Sequence, residues 1–105
     1  MPLVNIKTAQ DLQTEAQQKA KNTITRAIDA HVESRAKEME YNSAAHLASY
    51  VSSSIPSWAE EAQTFVSWRD EVWIAAINML ETAEQTGEVP DIEEVISSLP
   101  EWPEG

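Results

Sequence analysis

The chain has 105 residues, of which 42% are hydrophobic, and it carries 7 basic against 18 acidic residues for a net charge of −11. This length fits one small domain with a thin core, and the charge argues against binding to a nucleic-acid backbone or an anionic membrane. The absence of cysteine excludes disulfides and thiolate metal sites. No apolar run approaches the ~20 residues of a membrane span, and residues 1–10 lack the apolar region of a signal peptide, so we expect a soluble intracellular protein.

The first predicted element is one long helix from Thr8 to about Glu40, a segment without Gly or Pro. Its second half carries a core-facing line at helical spacing: Ile24, Ile28, His31, Val32, Arg35 and Met39. Its first half has few large apolar residues, so packing within this chain would hold it weakly. We expect that half either to fray or to contact another chain through Leu12, Ala16 and Ala20.

A short second helix is predicted from about Ala44 to Ser52, with Asn42 or Ser43 as its N-cap. Its inward residues should be Leu47, Tyr50 and Val51. The serines before Pro56 then end it.

The third predicted helix begins with a capping box formed by Ser57 and Glu60. It runs to about Gln85, where Gly87 supplies a left-handed C-terminal cap. The residues expected to anchor the core are Trp58, Phe65, Val66, Val72, Trp73, Ile77 and Leu80.

Arg69 lies at the centre of the apolar face of this third helix. A buried guanidinium needs partners, so we expect an acceptor from another element, with Glu38, Glu40 and Tyr41 as the candidates. Two interpretations stay open: a structural pair that fixes the register of the helices, or a contact that grips a carboxylate of a partner protein.

Trp68 and Ile74 lie off that face. They are either scattered exposed apolar residues, which are ordinary, or a second packing surface. The residues assigned to partner binding are therefore Leu12, Ala16, Ala20, Trp68, Arg69 and Ile74.

A fourth, short helix opens at Asp91, which has capping-box spacing to Glu94, and closes at Leu99. Val95, Ile96 and Leu99 should close one end of the core, and residues 101–105 read as a tail with one aromatic, Trp102. No alternating strand pattern appears, so the predicted fold class is all-α, with a long N-terminal helix packed on a small three-helix module.

The charge divides the chain into two sections. Residues 1–40 hold six basic and six acidic residues, whereas residues 41–105 hold twelve acidic residues and Arg69 as the one base. We expect residues 1–40 to form the charge-balanced helix and residues 41–105 an acidic helical module, which forms one compact fold with residues 24–40.

Catalytic patterns are missing from the sequence. His31 and His46 fall on different predicted helices without a partner at metal-ligand spacing, and adjacent acids such as Glu60 and Glu61 point to different sides of a helix. Two glycines cannot form a phosphate-binding loop. We therefore expect no enzyme activity, cofactor or metal.

The stretch from Tyr41 to Trp102 resembles the tail-fibre assembly, or tail assembly chaperone-like, proteins of bacteriophages and prophages. The central landmark is the segment from Ser67 to Trp73, which is similar to the family's W-R-D-x-V-W pattern. The other landmarks are Tyr41, Ser43, Leu47, Tyr50, the serines before Pro56, Ala62, Val89-Pro90 and Leu99-Pro100-Glu101-Trp102-Pro103. The resemblance covers about three-fifths of the chain and assigns no catalytic residues.

The resemblance implies a helper that binds a phage tail-fibre or receptor-binding protein in the host cytoplasm during assembly, with self-association and retention in the virion left open. One alternative is a structural component of the tail or particle. A second alternative is an acidic inhibitor that mimics nucleic acid, which the charge of −11 favours. The expected partner is a protein rather than nucleic acid or a membrane.

Overall fold

A computed structural model describes residues 9–103, with side chains described for residue 12 and from residue 14 onward. These residues form four helices and no strand: α1 (Ala9–Glu38), α2 (Ala44–Ala48), α3 (Pro56–Thr86) and α4 (Ile92–Ser98). Helix α1 contacts the other three helices, and α2 also contacts α3. The prediction of an all-α fold with a long N-terminal helix packed on a helical module is confirmed.

Helix α1 ends in a Schellman turn whose left-handed residue is Glu40. The Tyr41 N–H donates to the Ala36 carbonyl at 3.1 Å and the Glu40 N–H to the Lys37 carbonyl at 2.9 Å, the two hydrogen bonds that define this turn. Glu40 has a φ of 72°, a conformation that glycine usually supplies. The helix proper therefore stops at Glu38, two residues before its predicted end.

The core line of α1 consists of Ile24, Ile28, Val32 and Ala36, each buried and four residues from the next. Three of these were expected, whereas Ala36 was not. The other expected residues lie half-buried along the edges of this line: His31, Arg35 and Met39.

Helix α2 is one short turn that is capped as the sequence predicts. The Ser43 side chain accepts a hydrogen bond from the His46 N–H at 3.0 Å. The helix ends at Ala48 rather than near Ser52, and turns follow it. Leu47 is fully buried, while Tyr50 and Val51 pack against the core from these turns.

The start of α3 differs from the prediction and its end agrees with it. Pro56 is the first helical residue, and no side chain caps the helix, so the capping box of Ser57 and Glu60 was wrong. Because proline has a fixed φ and no N–H to satisfy, it suits this position and places Ser57 already inside the helix. Gly87 adopts a φ of 78° and donates its N–H to the Ala83 carbonyl at 2.8 Å, as expected.

The buried line of α3 is rotated by about 40° from its predicted centre at Arg69 towards Trp68, at 100° per residue. Its buried residues are Ala62, Phe65, Trp68, Val72, Ala76 and Ala83. The expectation that Trp58 and Ile77 anchor the core was wrong, because their exposed fractions are 43% and 49%. The rotation follows from the position of the chain's C-terminal segment, which packs on the Trp68 side.

Helix α4 and the residues after it close that side of the core. Val95 and Leu99 are buried and Ile96 is half-buried, as predicted. Asp91 occupies the N-cap position without a side-chain hydrogen bond, so the second expected capping box was also wrong. Trp102 is not part of a free tail, since it packs against the core cluster.

Candidate protein-binding surface

Arg69 is not the buried cation that its sequence position suggested. Its side chain is 34% exposed and pairs with Asp70, the next residue, with Nη2 at 3.1 Å and Nε at 3.2 Å from Oδ1. The expected partners Glu38, Glu40 and Tyr41 were wrong. Because the core is centred towards Trp68, Arg69 lies at its edge, where water and a neighbouring carboxylate can both reach it. A partly exposed pair of this kind contributes at most about 1 kcal/mol to stability.

Trp68 belongs to the hydrophobic core and not to a separate surface. Its side chain is 3% exposed, and its indole N–H donates to the Pro100 carbonyl at 3.0 Å. Its ring lies 5.5 Å from Trp102, 5.7 Å from His31 and 5.9 Å from Phe65, centre to centre. Trp68 is therefore not accessible to a partner in this fold, which corrects its assignment to partner binding.

Trp102 is a packing residue that the sequence interpretation missed. Its ring lies 6.4 Å from the Phe65 ring, and the Arg35 guanidinium carbon stands 4.3 Å from its centre, in the range of a cation–π contact. The available signal was an aromatic residue following a helix-ending Leu-Pro pair. That signal could not show which face the ring would cover.

The first half of α1 exposes the residues that were assigned to an inter-chain contact. The exposed fraction of Leu12 is 54%, Ala16 is exposed and Ala20 is half-buried. Ala16 and Ala20 line an open groove of about 720 Å³ whose other wall is formed by residues 89–93. Their contact with another chain stays a prediction.

Helix α3 also carries a line of apolar side chains that the described residues cover only in part. We call Val66, Trp73, Ile74, Ile77 and Leu80 the outer face of α3. Ile74 is 60% exposed and Ile77 49% exposed, while the other three are half-buried. Trp73 and Leu80 pack against the core cluster. They hold the outer face in place, while Ile74 and Ile77 point into solvent. Clustered exposed apolar side chains on a small domain indicate a contact surface.

Acidic residues border the outer face. Asp70 precedes Ile74 by one helical turn, Glu81 follows Ile77 by one turn, and Glu84 follows Leu80. Helix α3 contains six acidic residues and a single basic one, and that base, Arg69, is paired with Asp70. Glu84 forms an ion pair with Lys21 of α1. The surface therefore combines apolar side chains with a border of three carboxylates beside and between them, of which Asp70 and Glu84 already have a basic partner.

Hydrogen bonds of Tyr41 and His46 stabilise the corner between α1 and α2. The Tyr41 hydroxyl donates to a Glu61 carboxylate oxygen at 2.8 Å, and His46 Nε2 lies 3.0 Å from the Tyr50 hydroxyl. Burial raises the pKa of Tyr41, and the hydrogen bond and charge of Glu61, with a smaller effect of Tyr50, raise it further. The Tyr41–Glu61 hydrogen bond joins α3 to the α1–α2 corner. We assign these groups a role in holding the helices together.

Metal-ligand clusters and membrane-spanning helices are both absent from the part of the chain that the structure describes. Residues 9–103 hold no cluster of three His, Cys, Asp or Glu side chains that could bind a metal ion. None of the four helices combines the length and the apolar character needed to cross a membrane.

No protein-family model matches the sequence, and the comparisons with curated proteins and with solved structures give no significant match. The similarity of residues 41–102 to tail-fibre assembly proteins therefore stays a prediction from the sequence.

Proposed function

We propose that the protein is a non-catalytic helper that binds a phage tail-fibre or receptor-binding protein while that protein folds or assembles. The resemblance of residues 41–102 suggests the client, and the outer face of α3 is the structural observation that supports binding. An apolar line on a rigid helix is a common means of holding a partner.

The segment of closest resemblance lies where the core and the outer face meet. Trp68 and Val72 are buried in the core, whereas Trp73 belongs to the outer face. Arg69 and Asp70 form their ion pair between these two sets. One short segment thus supplies both the residues that hold the helix in place and a residue available to a client, which suits a binding module.

Co-expression with the fibre protein of a neighbouring gene tests the proposal. We expect soluble, trimeric fibre in the presence of this chain and aggregated fibre in its absence. Fibre that trimerises equally well without the chain would contradict the chaperone role. Immunoblotting of purified particles separates a transient helper from a structural component, because only the structural component stays in mature particles at a fixed ratio to the fibre.

A further inference from the structure

We infer that the outer face of α3 receives an amphipathic helix of the client whose apolar side is edged by Lys or Arg. This inference rests on the proposed function, since it specifies the occupant of the surface through which the helper works.

The shape of the outer face fits a helix. Its residues run from Val66 to Leu80, a length of about 21 Å at 1.5 Å per residue, or about four helical turns. Ile74 and Ile77 stand out from the surface, whereas Trp73 and Leu80 are half-buried beside them. Such ridges and grooves accept the side chains of a second helix placed at intervals of three and four residues.

The charge of the border selects a basic partner. A helix laid along the outer face passes Asp70 near one end and Glu81 and Glu84 near the other. The one base of α3, Arg69, is held by Asp70, and Lys21 of α1 is held by Glu84. These two pairs leave Glu81 without an ion-pair partner among the described residues, so the three carboxylates and two bases carry a net charge of −1. Helix α3 as a whole has six acidic residues and one basic residue. Lys or Arg along the edges of the incoming helix therefore meets a net negative charge, whereas Asp or Glu there would be repelled.

The same charge disfavours a second copy of this chain as the occupant. Each copy carries a net charge of −11. Pairing two outer faces would bring the unpaired Glu81 of both copies, and two helices that each hold six acidic residues against one basic residue, into one interface, where like charges raise the free energy of the complex. The carboxylates of the border attract a basic helix, whereas they repel a second acidic copy.

The test uses the full chain and three fluorescein-labelled peptides of about 18 residues, long enough to cover the face at about 27 Å. The first peptide has Leu at intervals of three and four residues with Lys along both edges. The second replaces these Lys residues with Glu. The third keeps the composition of the first but scrambles its order, so that the Leu residues no longer share a side.

Fluorescence anisotropy should show binding of the first peptide at least ten times tighter than of the other two. The double substitution Ile74→Ser and Ile77→Ser should weaken that binding at least tenfold. The matched control replaces Ile55 with Ser, because this side chain is also exposed, at 41%, but lies outside both the outer face and the groove beside Ala16 and Ala20. The control should change the affinity less than twofold, and circular dichroism should show that both variants stay folded.

Three results would overturn the inference. Equal binding of the ordered and scrambled Lys peptides would show charge attraction without a helix site. Binding of the Glu peptide as tightly as the Lys peptide would show that the acidic border does not select the partner. A dimer in sedimentation velocity that the Ile74/Ile77 variant dissociates would make a second copy the occupant.

The fibre co-expression separates these failures from a failure of the proposed function. Suppose that no peptide binds the unaltered chain, but that the fibre fails to trimerise when it is co-expressed with the Ile74/Ile77 variant. The helper role then stands, and the basic helix is the wrong occupant. If the fibre needs no helper at all, the proposed function fails whatever the peptides do.

Discussion

Replacing Trp102 with Ala tests whether the residues after α4 hold the core together. The substitution removes a half-buried ring that contacts Phe65 and Trp68 and lies under the Arg35 guanidinium. Truncating a fully buried Trp costs about 3–5 kcal/mol, so a half-buried ring should cost roughly half of that, about 2 kcal/mol. The cation–π contact adds about 0.5–1 kcal/mol. We therefore expect a loss of about 2–3 kcal/mol in the free energy of unfolding, or a fall in Tm of about 8–24 °C for a chain of this size.

Urea denaturation followed by far-ultraviolet circular dichroism measures that loss, with Trp102→Phe as the conservative control. The Phe variant keeps a ring against Phe65 and Trp68 and should lose less than half as much. A double-mutant cycle with Arg35→Met isolates the cation–π term, which should appear as a coupling energy of about 0.5–1 kcal/mol. If Trp102→Ala changes the free energy of unfolding by less than about 0.5 kcal/mol, within the range of an ordinary surface substitution, the packing account of residues 100–102 is wrong.

Three further substitutions test the turns and the polar corner. Glu40→Gly should raise the free energy of unfolding by about 0.5–1 kcal/mol, because it removes the ~1–2 kcal/mol cost of a left-handed L-residue but adds unfolded-chain entropy; a loss of stability in urea titrations would refute the Schellman turn. Gly87→Ala should lower it by a similar amount, through backbone strain alone, since an added Cβ meets no atom within 4 Å. The raised pKa of Tyr41 means that the folded state keeps its proton to higher pH than the unfolded state, so its contribution is complete below about pH 10 and is lost as the pH rises through the folded pKa. Tyr41→Phe should therefore flatten the fall in urea midpoint as the pH rises above about 10, and an unchanged slope there would contradict this assignment.

Local signals in the sequence located the helices because the residues that end them act through their own backbone. Gly87 could be placed as a C-terminal cap, since few residues tolerate its φ. The N-cap of α2 could be narrowed to Asn42 or Ser43, and it is the Ser43 hydroxyl that reaches an amide three residues on. The turn at Glu40 was not predicted, because Glu40 adopts a left-handed conformation that is normally recognised in a sequence by a glycine. Pro56 displaced the expected capping box by occupying the first helical position.

Which side of α3 faces the core could not be read from α3 alone. Its apolar residues cover too wide an arc to be buried by one neighbour, and the sequence prediction placed Ile77 in the core and Trp68 off the core-facing side. The choice depended on Trp102 and Pro100, more than 30 residues away, which cover Trp68 and leave Ile77 exposed at 49%. The same distant contact moved Arg69 to the edge of the core, and so the outer face became visible only in the folded chain.

The four tryptophans of this chain lie at different depths, which makes the protein its own optical probe. Trp68 is buried, Trp73 and Trp102 are half-buried, and Trp58 is exposed at 43%. Indole emission moves to shorter wavelength as water is removed from the ring, so unfolding and surface coverage displace the spectrum in opposite directions. With Trp58 replaced by Phe, a red shift would report the release of Trp68 from the core and a blue shift the covering of Trp73, so that one unlabelled sample distinguishes a destabilised chain from an occupied one.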